Sequence, residues 1–193
     1  MENALKQLVT ERLVLRPFTE EDHPLILRIS SDPGTTKYLF FWGLIGSTPE
    51  GDARRFMEYA LSRGRETPIR AWEYCVTRKD TGEAMGEGSV EWVAEAPGTV
   101  ELGWILLPEY RGKGYATEMG RELMRAAFEV LGAAQVIAHC DARNAPSYHV
   151  MERLGMTLKS IEKEARPAKR EGEKNGDECT YAIIRREWES HDA

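Results

Sequence analysis

Cysteine is scarce in this sequence, with only Cys75, Cys140 and Cys179 among 193 residues. Three scattered thiols make neither a disulfide framework nor a Cys-x-x-Cys metal site, so buried, reduced side chains are expected. Long apolar runs are missing as well, and nothing approaches the ~20 residues that span a bilayer. The opening Met-Glu-Asn-Ala-Leu-Lys-Gln lacks a basic segment followed by an apolar core, so no membrane partner and a cytoplasmic location are expected. Positive charge is in deficit, with 26 Lys and Arg against 32 Asp and Glu, which argues against direct nucleic-acid binding. His139 and His149 have no partners at ligand spacing, so no metal is expected, and the glycine-flanked nucleophile elbow of a Ser-His-Asp hydrolase is absent.

What is present fits one globular domain over 1–193, with 41% hydrophobic and 30% charged residues. From Thr10 to Phe18, Leu13 and Leu15 alternate with Arg12 and Arg16, the period of a half-buried strand that Pro17 ends. Thr19-Glu-Glu-Asp22 is an N-cap with an acidic first turn, and opens a short helix closed before Asp32-Pro-Gly34. Phe40, Phe41 and Trp42 simply cover the core or, by resemblance to related folds in which this segment lines a cleft, help shape a substrate pocket. A second amphipathic helix follows Ser47-Thr-Pro-Glu50, and Trp72–Arg78 with Met85–Ala94 forms a hairpin around Lys79-Asp-Thr-Gly82. Gly86 and Gly88 weaken the second strand unless something approaches it closely. A central strand from Val100, a long helix ending at Gly132, a strand over Gln135–Cys140 and a helix over Ser147–Leu154 come next. Met156–Ile161 is extended, Glu162–Glu178 a charged loop or mobile hairpin arm, Thr180–Ile184 a last strand and 185–193 a tail. This order describes an α/β (α+β) fold with a mixed, largely antiparallel central sheet flanked by helices.

The chain's chemistry centres on 101–117, where an apolar strand runs through Pro108-Glu-Tyr into Arg111-Gly-Lys-Gly114-Tyr-Ala116 and then a helix. Gly112 and Gly114 let a ligand approach the backbone, and residues 112 to 117 supply N–H groups that the first helical turn leaves unused. With the positive end of the helix, these donors suit a phosphate. The dinucleotide fingerprint fails at Thr117, and no P-loop is present. The stretch resembles the acyl-CoA loop of the GNAT superfamily of N-acetyltransferases, Gln/Arg-x-x-Gly-x-Gly/Ala. Thr10-Glu-Arg-Leu-Val-Leu-Arg16 is similar to the start of a branch that acetylates N-termini of ribosomal proteins. Asn144-Ala-Pro-Ser147, with Val150 and Gly155, resembles the other half of the family signature.

The resemblance implies acetyl-CoA as cosubstrate, held between two splayed central strands by Ile105, Leu106, Leu107, Arg111, Gly112, Lys113, Gly114, Tyr115, Ala116, Thr117, Asn144 and Ser147. An oxyanion would meet a backbone N–H near Ile105 or Leu106. The helix entrance leaves Asn144 either a ligand contact or a cap. Many members carry a tyrosine where Met151 stands, and a thioether donates no proton. In the ribosomal-protein branch that this chain resembles, a serine at the position of Ser147 is cast as the acid, so Ser147 is the first candidate, ahead of Tyr148. For the base that takes the ammonium proton, Glu91 ranks before Glu101, each against the alternative of an ordinary solvated strand residue. The implied reaction is direct transfer of acetyl to a primary amine, with a protein N-terminus as acceptor. The alternatives are a small amine (polyamine, amino acid or aminoglycoside) and an acyl-CoA-binding module without turnover. A homodimer is compatible with the family, though no stretch marks an interface.

Overall fold

Period-two alternation and glycine-marked turns build the strands of one eight-stranded sheet. The computed structural model describes residues 5–40, 42–43, 46–63, 69–169 and 171–191. The strands are β1 (Leu8–Val9), β2 (Leu13–Pro17), β3 (Ala71–Arg78), β4 (Ala84–Trp92), β5 (Thr99–Leu106), β6 (Gln135–Asp141), β7 (Thr157–Arg166) and β8 (Gly176–Ile184). Their order is β1-β2-β3-β4-β5-β6-β8-β7, and of these pairings only β5–β6 is parallel. Helices α1 (His23–Ser31), α2 (Pro33–Thr36), α3 (Pro49–Arg63), α4 (Tyr115–Arg125), α5 (Ala145–Arg153) and α6 (Arg185–His191) cover it.

Two glycines explain how tightly α4 and β5 close on β4. A Cβ on Gly88 would lie 2.8 Å from Met119 Sδ, and one on Gly86 would lie 2.1 Å from the Ile105 carbonyl oxygen. Both positions need a residue without a side chain, the close approach that the sequence left as a condition. Met119 and Leu123 of α4 are fully buried against that face, and Trp188 of α6 stacks on Phe128 at 5.1 Å between centroids. α4 ends in a π turn, Ala126–Val130, with Leu131 N–H donating to Ala126 O at 3.0 Å, before Gly132 reverses the chain at φ 75°.

The stretch 162–178 takes the hairpin-arm alternative rather than the loop: β7 continues to Arg166 and β8 begins at Gly176, and the two strands pair antiparallel. β7 is the sheet's edge and is exposed from Thr157 through Glu164, so its sequence carries charge where a covered strand would alternate. The tail is the helix α6. Trp42 is buried in the core, Phe40 is half-buried, and Phe41 lies outside the described residues.

Candidate functional site

β5 and β6 pair only over Thr99–Glu101 and Gln135–Ile137. Beyond Glu101 the two strands part, and a cleft of about 1100 Å³ opens beside Trp104, Ile105 and Leu106. The phase of the ladder decides which backbone groups face it. Leu107 N–H donates to Met85 O and Val93 N–H to Thr99 O, each at 3.0 Å. Bonded and non-bonded pairs alternate in an antiparallel ladder, so with Ile105 opposite Glu87 the odd residues of β5 turn their backbone groups to β4. Trp104 and Leu106 therefore turn theirs to the gap. Of the two expected oxyanion donors, Leu106 has the right orientation and Ile105 does not.

The loop into α4 forms the second wall. Gly112 and Gly114 sit at φ 72° and 82°, a left-handed region that disfavours a Cβ, and Gly114 is the residue before the helix. The first-turn N–H groups of Tyr115, Ala116 and Thr117 lack intrahelical acceptors and face the same cleft. Arg111 is not a loose anion ligand: its Nε donates to Leu106 O at 2.9 Å and its Nη2 to Thr35 Oγ1 at 2.5 Å. It ties the loop to β5. Arg12, missed as a site residue in the sequence, braces the loop from the other side, with Nη1 donating to Lys113 O at 3.1 Å and its guanidinium 4.4 Å from the Tyr115 ring centroid. Glu118 fixes Arg12 by accepting from its backbone N–H at 2.8 Å and its Nε at 2.6 Å, and also accepts from Thr10 Oγ1 at 2.6 Å. Burial opposes ionisation of Glu118, yet these hydrogen bonds hold its carboxyl below the usual range.

Arg12, Arg111, Arg121 and Arg153 gather at this cleft in a chain of net charge −6. A glycine cradle, unused helix N–H groups and the guanidiniums of Arg121 and Arg153 fit the pyrophosphate and phosphate of CoA, with Arg12 and Arg111 bracing the loop, and the strand gap fits an extended pantetheine. Of the expected cofactor residues, the cleft gathers all but two. Leu107 is in the core, 1% exposed, and Lys113 lies outside the cleft wall with an exposed side chain.

The third wall comes from α5. Asn144 precedes the helix and closes its turn through the backbone, with Ser147 N–H donating to Asn144 O at 3.0 Å. Its side chain makes no capping hydrogen bond and it lines the cleft, which favours the ligand alternative. Ser147 also lines the cleft, and its hydroxyl hydrogen-bonds the Cys140 thiol, whose pKa burial pushes up to about 12. Met151 is 1% exposed in the core, so the position of the family tyrosine is here a packing position. Tyr148 is not on the cleft wall and lies edge-on to His149 at 4.7 Å. His139 is a structural residue, its Nδ1 3.0 Å from Thr180 Oγ1.

On the sheet face covered by α1 and α3, alternation and register bring Glu73, Glu87, Glu91 and Glu101 together. Glu91 stands opposite Glu101, but its carboxylate is 3.0 Å from Arg63 Nη2 and 3.4 Å from Tyr59 Oη. Burial pushes the Glu101 carboxyl up, against the opposing field of His139. Glu73 and Glu87 were missed, although their odd numbering in two adjacent strand patterns was the available signal. Further along this face, Arg166 Nε pairs with Glu178 at 2.6 Å. Lys169 Nζ donates to the carbonyls of Leu39, Phe40 and Trp42 at 2.5, 3.2 and 2.7 Å, fastening the segment before α3.

Comparison with known proteins agrees with this geometry. The family model described as an acetyltransferase (GNAT) domain matches residues 12–157. YnaD of Bacillus subtilis (strain 168), an uncharacterized N-acetyltransferase, is 29% identical over 181 residues, covering 94% of this chain and 98% of its own. The FsC-acetyl coenzyme A-N(2)-transacetylase of Aspergillus fumigatus is 30% identical over 193 residues, covering 94% and 77% respectively. Among solved structures, Mycobacterium smegmatis RimJ in complex with CoA-disulfide superposes with a TM-score of 0.79 at 15% identity, over 95% of this chain and 89% of that one, a likeness of fold.

Proposed function

The chain belongs to the GNAT family of acetyl-CoA-dependent N-acetyltransferases, and we propose that its acceptor is the α-amine of a protein or peptide N-terminus. The observation that carries this reading is the charge balance of the sheet face under α1 and α3, taken here as the acceptor face. Arg63 compensates Glu91 and Arg166 compensates Glu178. Burial moves Glu101 toward its neutral form. The face is thus much less anionic than its glutamates suggest, which matches a single ammonium better than a polycation. The opening Thr10-Glu-Arg-Leu-Val-Leu-Arg16, similar to the ribosomal-protein branch, supports the same acceptor.

The transfer is direct. A neutral amine attacks the thioester carbonyl, the Leu106 N–H faces the developing oxyanion, and Ser147 gives a proton to the departing thiolate. A second reading, a small-molecule amine, is favoured by the likeness to the Aspergillus N(2)-transacetylase. CoA thiol release across N-terminal peptides, polyamines, amino acids and aminoglycosides separates the two. Turnover highest with N-terminal peptides supports the first reading, and turnover confined to a small amine replaces it with the second.

A further inference from the structure

The acceptor face holds two carboxyl groups that the reading above does not use. Glu87 of β4 is 5% exposed, and Glu73 of β3 is half-buried beside it. The register sets Glu73 opposite Ser89 and Glu87 opposite Cys75 and Ile105, so the two glutamates are diagonal neighbours on one face of adjacent strands. They hydrogen-bond to each other, and Ser89 also hydrogen-bonds Glu87. Two carboxyls in contact away from bulk water do not both ionise, so the bond between them contains a proton.

The charged groups packed around the pair are committed elsewhere. Arg63 of α3 is 3.0 Å from Glu91, with Tyr59 between them, and acts on Glu73 only as a weak, more distant field. Arg16 is 2.7 Å from Asp22 at the start of α1, which also accepts from the Cys75 thiol. Toward β6 and β8, Arg166 and His139 stand against Glu178 and Glu101. The pair therefore bears one negative charge and one mobile proton. Glu87 sits on β4 directly across from Ile105, a residue of the cleft wall.

We propose that Glu73 and Glu87 act together as the proton acceptor of the transfer, Glu87 taking the ammonium proton directly or through one water and Glu73 positioning it through the shared proton. This rests on the acetyl-transfer reading given above. The proton balance is complete: the ammonium gives one proton to Glu87, and the neutral amine forms the new N–C bond. The C–S bond then breaks, and the second amine proton reaches the thiolate by way of Ser147. Solvent afterwards recovers the proton from Glu87. Burial pushes the Glu87 carboxyl up to about 7, which poises it for this exchange near neutral pH.

The test combines pH–rate profiles of CoA release with glutamate side-chain carboxyl NMR titrations for the wild type, Glu87→Gln and Glu73→Gln. Glu87→Gln is expected to lower kcat by about 100-fold or more while acetyl-CoA affinity is kept. Glu73→Gln leaves a carboxylate at 87 but weakens the hydrogen bond that holds its pKa down, so the acid limb of kcat/KM moves to higher pH. The wild-type NMR titration shows a carboxyl that protonates near neutrality and is lost in Glu87→Gln. Wild-type kcat and an unmoved acid limb in both variants overturn the proposal while leaving the enzyme reading intact. No CoA release with any amine overturns the acceptor reading and the pair's catalytic role, and the NMR titration then still shows whether the pair exists.

Discussion

Arg63 Nη2 lies 3.0 Å from Glu91 Oε1, so the glutamate that the family pattern nominates as base is bound to a guanidinium. The Glu91 oxygens are taken up by Arg63 and the Tyr59 hydroxyl, and Glu91 is not among the residues that line the cleft. Glu91→Gln is therefore expected to reduce kcat by less than about 10-fold, well short of the usual loss of a general base. Steady-state kinetics on one peptide acceptor checks this. A loss of several hundred-fold would return the base to Glu91.

Ser147→Ala should lower kcat by roughly 10- to 100-fold and change the acetyl-CoA dissociation constant by less than about 2-fold, the pattern of an interaction made in the transition state. Met151→Tyr should not repair it. Met151 is 1% exposed, and a phenol forced into its site overpacks the core at a cost of about 1–3 kcal/mol. A folded double variant with restored turnover would show that the tyrosine position reaches the thiolate after all.

Glu118→Gln keeps the shape of the brace on Arg12 and removes its charge. The hydrogen bonds to Thr10 and Arg12 weaken, and the loop over Gly112–Gly114 loses part of its support. Calorimetry should show acetyl-CoA binding about 3- to 10-fold weaker, in line with the ~1 kcal/mol that a charge-assisted hydrogen bond contributes. Affinity equal to the wild type would mean that the loop holds its shape unaided.

Lys169→Met removes the ammonium that three carbonyls share. Burial already pushes the Lys169 pKa down, with Arg166 adding to the effect, so the contact depends on these carbonyls to keep its charge. The segment from Leu39 to Trp42 should loosen. We expect acceptor KM to rise about 5-fold while acetyl-CoA affinity stays within about 2-fold, the signature of lost positioning on one substrate. A change in acetyl-CoA affinity alone would place the latch on the cofactor side.

The raised Glu73 and Glu87 carboxyls also set a pH trend in stability. Their folded-state pKa values lie above the ~4.3 of an unfolded glutamate, so the folded protein binds protons more tightly. The stabilisation is complete below the unfolded value and is lost as pH rises through the folded one. Thermal midpoints should therefore fall from about pH 5 to about pH 8, and fall less in Glu87→Gln. Parallel profiles would contradict a raised carboxyl at this position.

The glycine loop, the central strand and the two half-motifs were legible because their residue types are dictated locally. Gly112 and Gly114 are needed for backbone conformations that other residues resist, and α4 shows its buried stripe in its spacing. The register was not legible. Which of Ile105 and Leu106 faces the gap depends on the phase against β4, and the union of Glu73 with Glu87 depends on β3 and β4 meeting at one offset. The continuation of β7 past Ile161 was ambiguous for another reason: an edge strand in water lacks the apolar alternation by which strands are recognised. Glu91 was read correctly as to its strand, but its partner Arg63 lies 28 residues away on another element.

The gap beside Leu106 divides the inheritance of this molecule unequally. The cleft side presents main-chain groups and glycines whose duty is to be small, whereas the sheet face under α1 and α3 presents charged side chains. On the acceptor proposed above, substitutions at Glu73, Glu91 or Tyr59 would redirect the choice of amine without touching the main-chain donors of the cleft. A descendant of this chain could change its trade by a few point mutations and keep its cosubstrate.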